Sequence, residues 1–153
     1  MGVKAIPEGF HSITPYLGIQ KAAEAIDFYK KAFNATEVMR LDMPNGDVGH
    51  AELRIGDCPI MLGTPCDQGP LRSPEQSVPV GLHLYVEDVD NAFAQAIAAG
   101  GTVISEVKDQ FYGDRSGTLK DPFGHVWFLA THKEDLTQEQ IEQRARAMFQ
   151  QQG

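Results

Sequence analysis

The stretch FYGDRSGTLKDPFGHVWFLA, residues 111–130, decides how this chain folds. A strand beginning near Gly117 runs into a tight turn at Asp121-Pro122-Phe123-Gly124 and returns through Val126-Trp127-Phe128-Leu129. Aspartate and proline open such a turn, and glycine supplies the backbone freedom that closes it. The aromatic return strand needs cover on at least one face. Upstream, GHAELRI turns at Gly56-Asp57 into CPIML, a hairpin of the same design.

Working outward from the two hairpins, the rest of the chain repeats as well. His11–Ile19 reads as a strand, with Pro15 suited to an edge or irregular position. Ala22, Ile26, Tyr29 and Phe33 recur at helical spacing within Lys21–Asn34. Strands are predicted at Thr36–Leu41, Val48–Ile55 and Pro59–Gly63, the first two joined through the turn signal Asn45-Gly46. Thr64–Val78, with Pro65, Pro70 and Pro74, is irregular: a linker or a loop over a pocket. A second cycle then follows. It has a strand at Val80–Val86 and a helix at Asp88–Ala99, capped by Asp88 and buried through Val89, Phe93 and Ala96/Ile97. Further strands fit Thr102–Val107, Gly117–Lys120 and Val126–Ala130. Thr137 and Gln140 form a capping box for a last helix with the stripe Ile141, Ala145, Met148.

A shift of 67 positions lays the first cycle over the second, with Ala22, Ile26 and Tyr29 on Val89, Phe93 and Ala96. The expected fold is therefore α+β. Two βαβββ modules, residues 11–64 and 80–131, form a curved, mainly antiparallel sheet around a pocket, within one domain spanning 1–134. Residues 137–150 add a C-terminal helix. The module helices cover the outer sheet faces and leave the inner faces to line the pocket.

Composition narrows the function classes. The chain has 153 residues, and its formal charge of −8 without a Lys/Arg cluster argues against a nucleic-acid surface. No run approaches membrane-spanning length, and Met1–Phe10 lacks a signal-peptide-like apolar core, which points to the cytoplasm. Cys58 and Cys66 make no disulfide framework, and Cys58 reads as a small, buried strand residue.

The motifs ITPYLGI, AIDFYKKAF, GHAELRIG, LHLYVEDVD and DQFYGDRSGTLKDPFGHVWFLATHKEDL together resemble the vicinal-oxygen-chelate superfamily. This group contains glyoxalases, fosfomycin and bleomycin resistance proteins and extradiol dioxygenases, and the resemblance is strongest to its PhnB-like branch over residues 11–134. Metal-using members supply a ligand from each of four strand positions. Carried onto this chain, those positions are Thr14, Met61, Gly81 and Phe128, a poor donor set for a divalent ion. The resemblance thus implies a small-molecule-binding protein without the usual metal centre or any other cofactor. It also implies a homodimer, and the last helix packs either on the main body or on a partner chain.

Residues two apart on a strand share a face. His83 therefore shares the inner face with Gly81, as do its repeat mate Tyr16 and Tyr85. His50 and Glu52 form an HxE pair. If His50, Glu52 and His83 converge, they offer an alternative divalent-metal or proton-transfer site for a lyase, isomerase or dioxygenase-like reaction. Tyr112 and Arg115 precede a strand at the pocket mouth. Arg115 either presents its guanidinium to an anionic ligand or fixes the loop with Asp114. Tyr112 either faces the ligand or packs the loop. With Phe128, these residues fit an anionic or aromatic ligand. Trp127 has the opposite parity and belongs to the core, while Asp121 is a turn residue accepting backbone hydrogen bonds. His132 reads as solvated.

Overall fold

A computed structural model describes residues 4–74, 78 and 80–151. The first module runs β1 (Tyr16–Gly18), α1 (Ala22–Phe33), β2 (Thr36–Asp42), β3 (Val48–Ile55) and β4 (Cys58–Gly63). The second runs β5 (Leu82–Tyr85), α2 (Val89–Ala98), β6 (Thr102–Asp109), β7 (Asp114–Lys120) and β8 (Val126–His132), and α3 (Gln138–Gln151) follows. Each module builds its own four-stranded sheet, in the orders β1-β4-β3-β2 and β5-β8-β7-β6. Among the described residues, β1–β4 and β5–β8 pair in parallel and the other ladders are antiparallel. Among the described residues, no helix is long and apolar enough to cross a membrane.

The duplication extends to register. Tyr16 pairs with Met61 and His83 with Phe128, each 67 positions apart from its counterpart. Opposite Met61 stands Glu52, however, and opposite Phe128 stands Thr118, an offset of 66. The second module is one residue shorter after its helix and regains that residue in the longer Asp121–Gly124 turn. Both β2 and β6 carry a register shift at equivalent points, Glu37/Met39 and Val103/Ser105.

Several boundaries differ from the periodicity-based expectation. β1 shrinks to three residues, because Pro15 has no N–H to give a ladder, although its carbonyl accepts from Met61 N at 2.9 Å. β7 begins at Asp114 rather than Gly117, and β8 runs on to His132, placing those two residues opposite each other. Cys58 is exposed rather than buried, and its Sγ donates to the Asp57 carboxylate at 3.3 Å, which pushes the thiol pKa up.

Helix α1 buries Ala25, Phe28 and Ala32 in addition to the expected Ala22, Ile26, Tyr29 and Phe33, whereas α2 buries only Val89, Phe93 and Ala96. The reason is position: α1 lies against its own sheet, α2 and the second module's β8 together. Trp127 of β8 packs on Phe33 and Tyr29, with ring centroids 4.4 and 5.5 Å apart. Asp121, 3% exposed, completes the junction. Its Oδ2 accepts from Tyr29 OH at 2.7 Å and Trp127 Nε1 at 2.9 Å, and its Oδ1 accepts from the backbone N–H of Phe123 and His125 at 2.9 and 3.0 Å. Burial, then the Asp121 charge, pushes the Tyr29 phenol well above its ordinary pKa. The turn residue is thus also the bond between modules.

Asp121→Ala strands two buried side-chain donors and two backbone N–H groups, and should cost about 3 kcal/mol in urea unfolding. Tyr29→Phe removes one donor and should cost about 1 kcal/mol. Equal losses in the two variants would contradict the shared-carboxylate arrangement.

Candidate functional site

The face of each sheet turned away from the helices carries the polar and aromatic groups picked out by strand parity. On the first sheet, Tyr16, His50 and Glu52 form one hydrogen-bonded chain. Tyr16 OH lies 2.8 Å from His50 Nδ1, and His50 Nε2 lies 3.3 Å from Glu52 Oε1. A carboxylate can only accept, so Nε2–H donates to Glu52, Nδ1 is the acceptor, and the phenol donates to it. The chain links an exposed phenol through an imidazole to a partly buried carboxylate, the connectivity of a proton relay.

On the second sheet, His83, Tyr85 and Phe128 form an aromatic wall. His83 sits 4.7 Å from Tyr85 and stacks on Phe128 at 6.2 Å, with only 16° between the planes. Tyr85 is 60% and Phe128 40% exposed, so the wall is open to solvent in the single chain. His83 therefore stands on a different sheet from His50 and Glu52. Among the described residues, no group of three or more His, Cys, Asp or Glu side chains is arranged to hold a metal ion.

The four positions that the resemblance assigns to metal ligands have defined surroundings. Thr14 is half-buried beside β1, and Met61 is half-buried opposite Tyr16 and Glu52. Gly81 and Phe128 are packed into each other: a Cβ on Gly81 would stand 2.6 Å from Phe128 Cε2. The phenyl ring fills the space a ligating side chain at position 81 would need. The remaining donors are one hydroxyl and one thioether, which do not fit a hard divalent ion.

Arg115 faces α2. Its Nε and Nη2 donate to Asp90 at 2.8 and 2.9 Å, and its Nη1 donates to Asp109 at 3.2 Å. It fixes local structure, but through these two carboxylates and not through Asp114, because neighbours on a strand point to opposite faces. Asp114 is buried on the inner side. Its Oδ2 accepts from Tyr85 OH at 2.9 Å, and its Oδ1 lies 2.8 Å from His132 Nδ1. His132 Nε2 lies 2.8 Å from Asp135 Oδ1, so the histidine is clamped between carboxylates rather than merely solvated. Donation from both ring nitrogens needs the imidazolium, so these two hydrogen bonds favour the charged ring and raise the His132 pKa. The Asp114 bond likewise raises that of Tyr85. This network escaped the sequence reading because β7 was expected to start after Asp114; the Asp114/His132 register would have exposed it. Tyr112 is partly exposed at the loop, edge-on to Phe111 at 5.2 Å.

Two βαβββ modules that turn histidine- and tyrosine-bearing sheet faces away from the helices define a class of proteins built by internal duplication. Residues 9–129 match the glyoxalase/bleomycin resistance protein/dioxygenase superfamily, and the chain belongs to it. An uncharacterized protein of Mycobacterium bovis is 40% identical over 136 residues, covering 86% of this chain and 90% of that one. Two solved structures share the fold. The PhnB protein of Bacillus cereus, described as a putative 3-demethylubiquinone-9 3-methyltransferase, has a TM-score of 0.63 at 22% identity, over 79% of this chain and 99% of its own. The fosfomycin resistance protein FosX of Listeria monocytogenes, solved with Mn(II) and a dihydroxypropylphosphonic acid, has a TM-score of 0.63 at 19% identity, over 86% and 94%.

Because His132 gains carboxylate partners on folding, its folded pKa exceeds the unfolded value of about 6.5. Its contribution to stability is fully present below about pH 6.5 and is lost as pH rises through the folded value. The melting-temperature advantage of the wild type over His132→Gln should be largest near pH ~5.5 and shrink toward pH ~8.5. An advantage that grows with pH would contradict the clamp.

Proposed function

We propose that this chain binds a small, partly aromatic molecule against the His83–Tyr85–Phe128 wall, and that it does so without the divalent ion used by metal-dependent superfamily members. The observation that carries this reading is the interpenetration of Gly81 and Phe128. FosX was solved with Mn(II), whereas two of the four positions that the resemblance assigns to metal ligands in this chain are a glycine and the ring packed against it. His132, linked to Tyr85 through Asp114, has both ring nitrogens engaged by Asp114 and Asp135, so it offers no free cation and the wall selects a ligand by its aromatic faces. Arg115 contributes indirectly, its guanidinium being engaged by Asp90 and Asp109.

A binding site for such a ligand needs a second wall, and the single chain leaves both inner faces open. Met39 and Leu41 on the first sheet, and Tyr85 and Phe128 on the second, are large exposed hydrophobics. Pairing the first sheet of one copy with the second sheet of another covers both and encloses the ligand. The protein accordingly works as a homodimer. Light scattering should give twice the 16.8 kDa of one chain, and the two-chain state should survive removal of residues 137–153 if the sheets carry the interface.

A second reading rests on the Tyr16–His50–Glu52 chain. The phenol oxygen is placed to take a proton from the bound molecule as its own proton passes to His50 Nδ1, with Glu52 stabilising the imidazolium so formed. The chemistry is proton transfer on an oxygen-bearing substrate.

Ligands found by thermal shift among aromatic carboxylates and phosphonates should keep their shift in excess EDTA. They should bind about tenfold more weakly to Phe128→Ala. A shift abolished by EDTA and restored by one divalent ion per chain would overturn the proposal. If that ion were lost in His50→Ala, chemistry at a metal site built on His50 and Glu52 would replace it.

A further inference from the structure

The two junctions between the modules are related by the repeat but built from different residues. At the first, the hairpin turn of the second module reaches the helix of the first: Asp121 accepts from Tyr29 OH, and the Phe123 ring lies edge-on to Phe28 at 6.1 Å. The pairs Arg54–Pro59 and Lys120–Val126 fix the offset there at 66 to 67 positions. The offset puts Ile55 in the place of Asp121, Gly56 in that of Phe123 and Gln95 in that of Phe28. The second junction therefore has neither the carboxylate nor the pair of rings. A cleft of about 990 Å³ lies there, lined by all three of these replacements. A Cβ on Gly56 would meet nothing within 4 Å.

The apolar surface of the cleft comes from Phe33, Ile55, Leu84, Val86 and Ala92. Several of its polar groups are already spent. Gln95 Nε2 donates to the Lys31 carbonyl and to Asn34 Oδ1, at 2.9 and 3.0 Å. Thr131 Oγ1 donates to the Val86 carbonyl and accepts from the Val89 N–H, both at 2.9 Å. His132 is held in its clamp.

Arg54 has the most left to give. Its Nη1 donates to the Gly9 carbonyl at 3.4 Å, a long bond for a group with five N–H donors. Arg40, Arg115, Arg144 and Arg146 each pair with a carboxylate. Arg54 pairs with none among the described residues, in a chain whose formal charge is −8. Its counterpart Lys120 adjoins Asp121, so the repeat has kept the cation here and lost the carboxylate beside it. A half-buried guanidinium next to an apolar cleft suits a ligand with one carboxylate and an apolar body. Glu87, the carboxylate of the lining, disfavours a second negative charge.

We propose that this cleft binds a small monocarboxylate, its carboxylate on Arg54 and its apolar body against Phe33, Ile55, Leu84 and Val86. The ligand supplies from outside the carboxylate and the apolar filling that Asp121 and Phe123 supply to the first junction from within the chain. Arg54 and Ile55 belong to the first module, Leu84 and Val86 to the second, so the bound molecule spans both. The site is distinct from the His83–Phe128 wall and does not depend on it.

Octanoate is a suitable probe, with octan-1-ol as its uncharged counterpart, each titrated into the full chain and followed by amide NMR. Octanoate should give saturable shifts at residues 33–36, 54–56 and 84–87, and octanol should bind about tenfold more weakly. Arg54→Gln should weaken octanoate about tenfold and leave octanol unchanged, while Arg54→Lys, which keeps the charge without the fork, should fall between. Equal affinity for acid and alcohol in the wild type, undiminished octanoate binding in Arg54→Gln, or no saturation would overturn the proposal. Shifts centred on His83 and Phe128 would place the acid on the aromatic wall; they would overturn the cleft and leave the wall reading standing.

Discussion

One buried carboxylate holds the two halves of this molecule together. Asp121 sits in a turn of the second module, yet it takes hydrogen bonds from Tyr29 of the first module's helix and from Trp127 of its own hairpin. A charge so placed would be costly alone; four donors satisfy it, and the aromatic packing around it excludes water. Everything outward of that junction follows. With α1 wedged between the two modules, both helices are committed to the interior, and the two sheets turn their other faces outward. The candidate sites lie on those faces because the junction has taken the helix-facing sides.

The outward faces have diverged. One carries a phenol–imidazole–carboxylate chain, the other a stacked aromatic wall backed by a doubly bonded imidazolium. Equivalent positions in the repeat therefore perform different physical tasks: Tyr16 enters a polar relay, while its counterpart His83 stacks on Phe128. This division suits a site made from two unlike walls. A symmetric pair of metal-ligating corners would instead require matching donors in both modules, and the second module has used its share of that space for a ring.

Much of the fold was legible because hydrophobic spacing, capping residues and turn chemistry agreed. Asp88 does cap α2, accepting from Asn91 N, and Thr137 and Gln140 do exchange their two capping hydrogen bonds. Strand parity also placed Tyr16, His83, Tyr85 and Phe128 away from the helices, and put His50 and Glu52 on one common face. What the sequence concealed were contacts between distant segments. Nothing local to Asp121 indicates Tyr29, 92 positions away. The ion pairs of Arg115 with Asp90 and Asp109 depend on α2 crossing behind β7, and the Asp114–His132 bond depends on a strand starting three residues early. Side chains that act through tertiary partners leave only their parity in the sequence, and parity reads correctly only when the strand ends are right.

The Phe128 ring packs against Gly81 at two of the four positions that the family resemblance assigns to metal ligands. Calorimetric titration of the chelator-treated protein with Mn(II) and Zn(II) addresses this directly. The account predicts no saturable binding at one ion per chain, and it gains none when Phe128 is left in place and Thr14 or Met61 is changed to Ala. A one-to-one isotherm with Mn(II) or Zn(II), lost in Thr14→Ala or Met61→Ala, would contradict it.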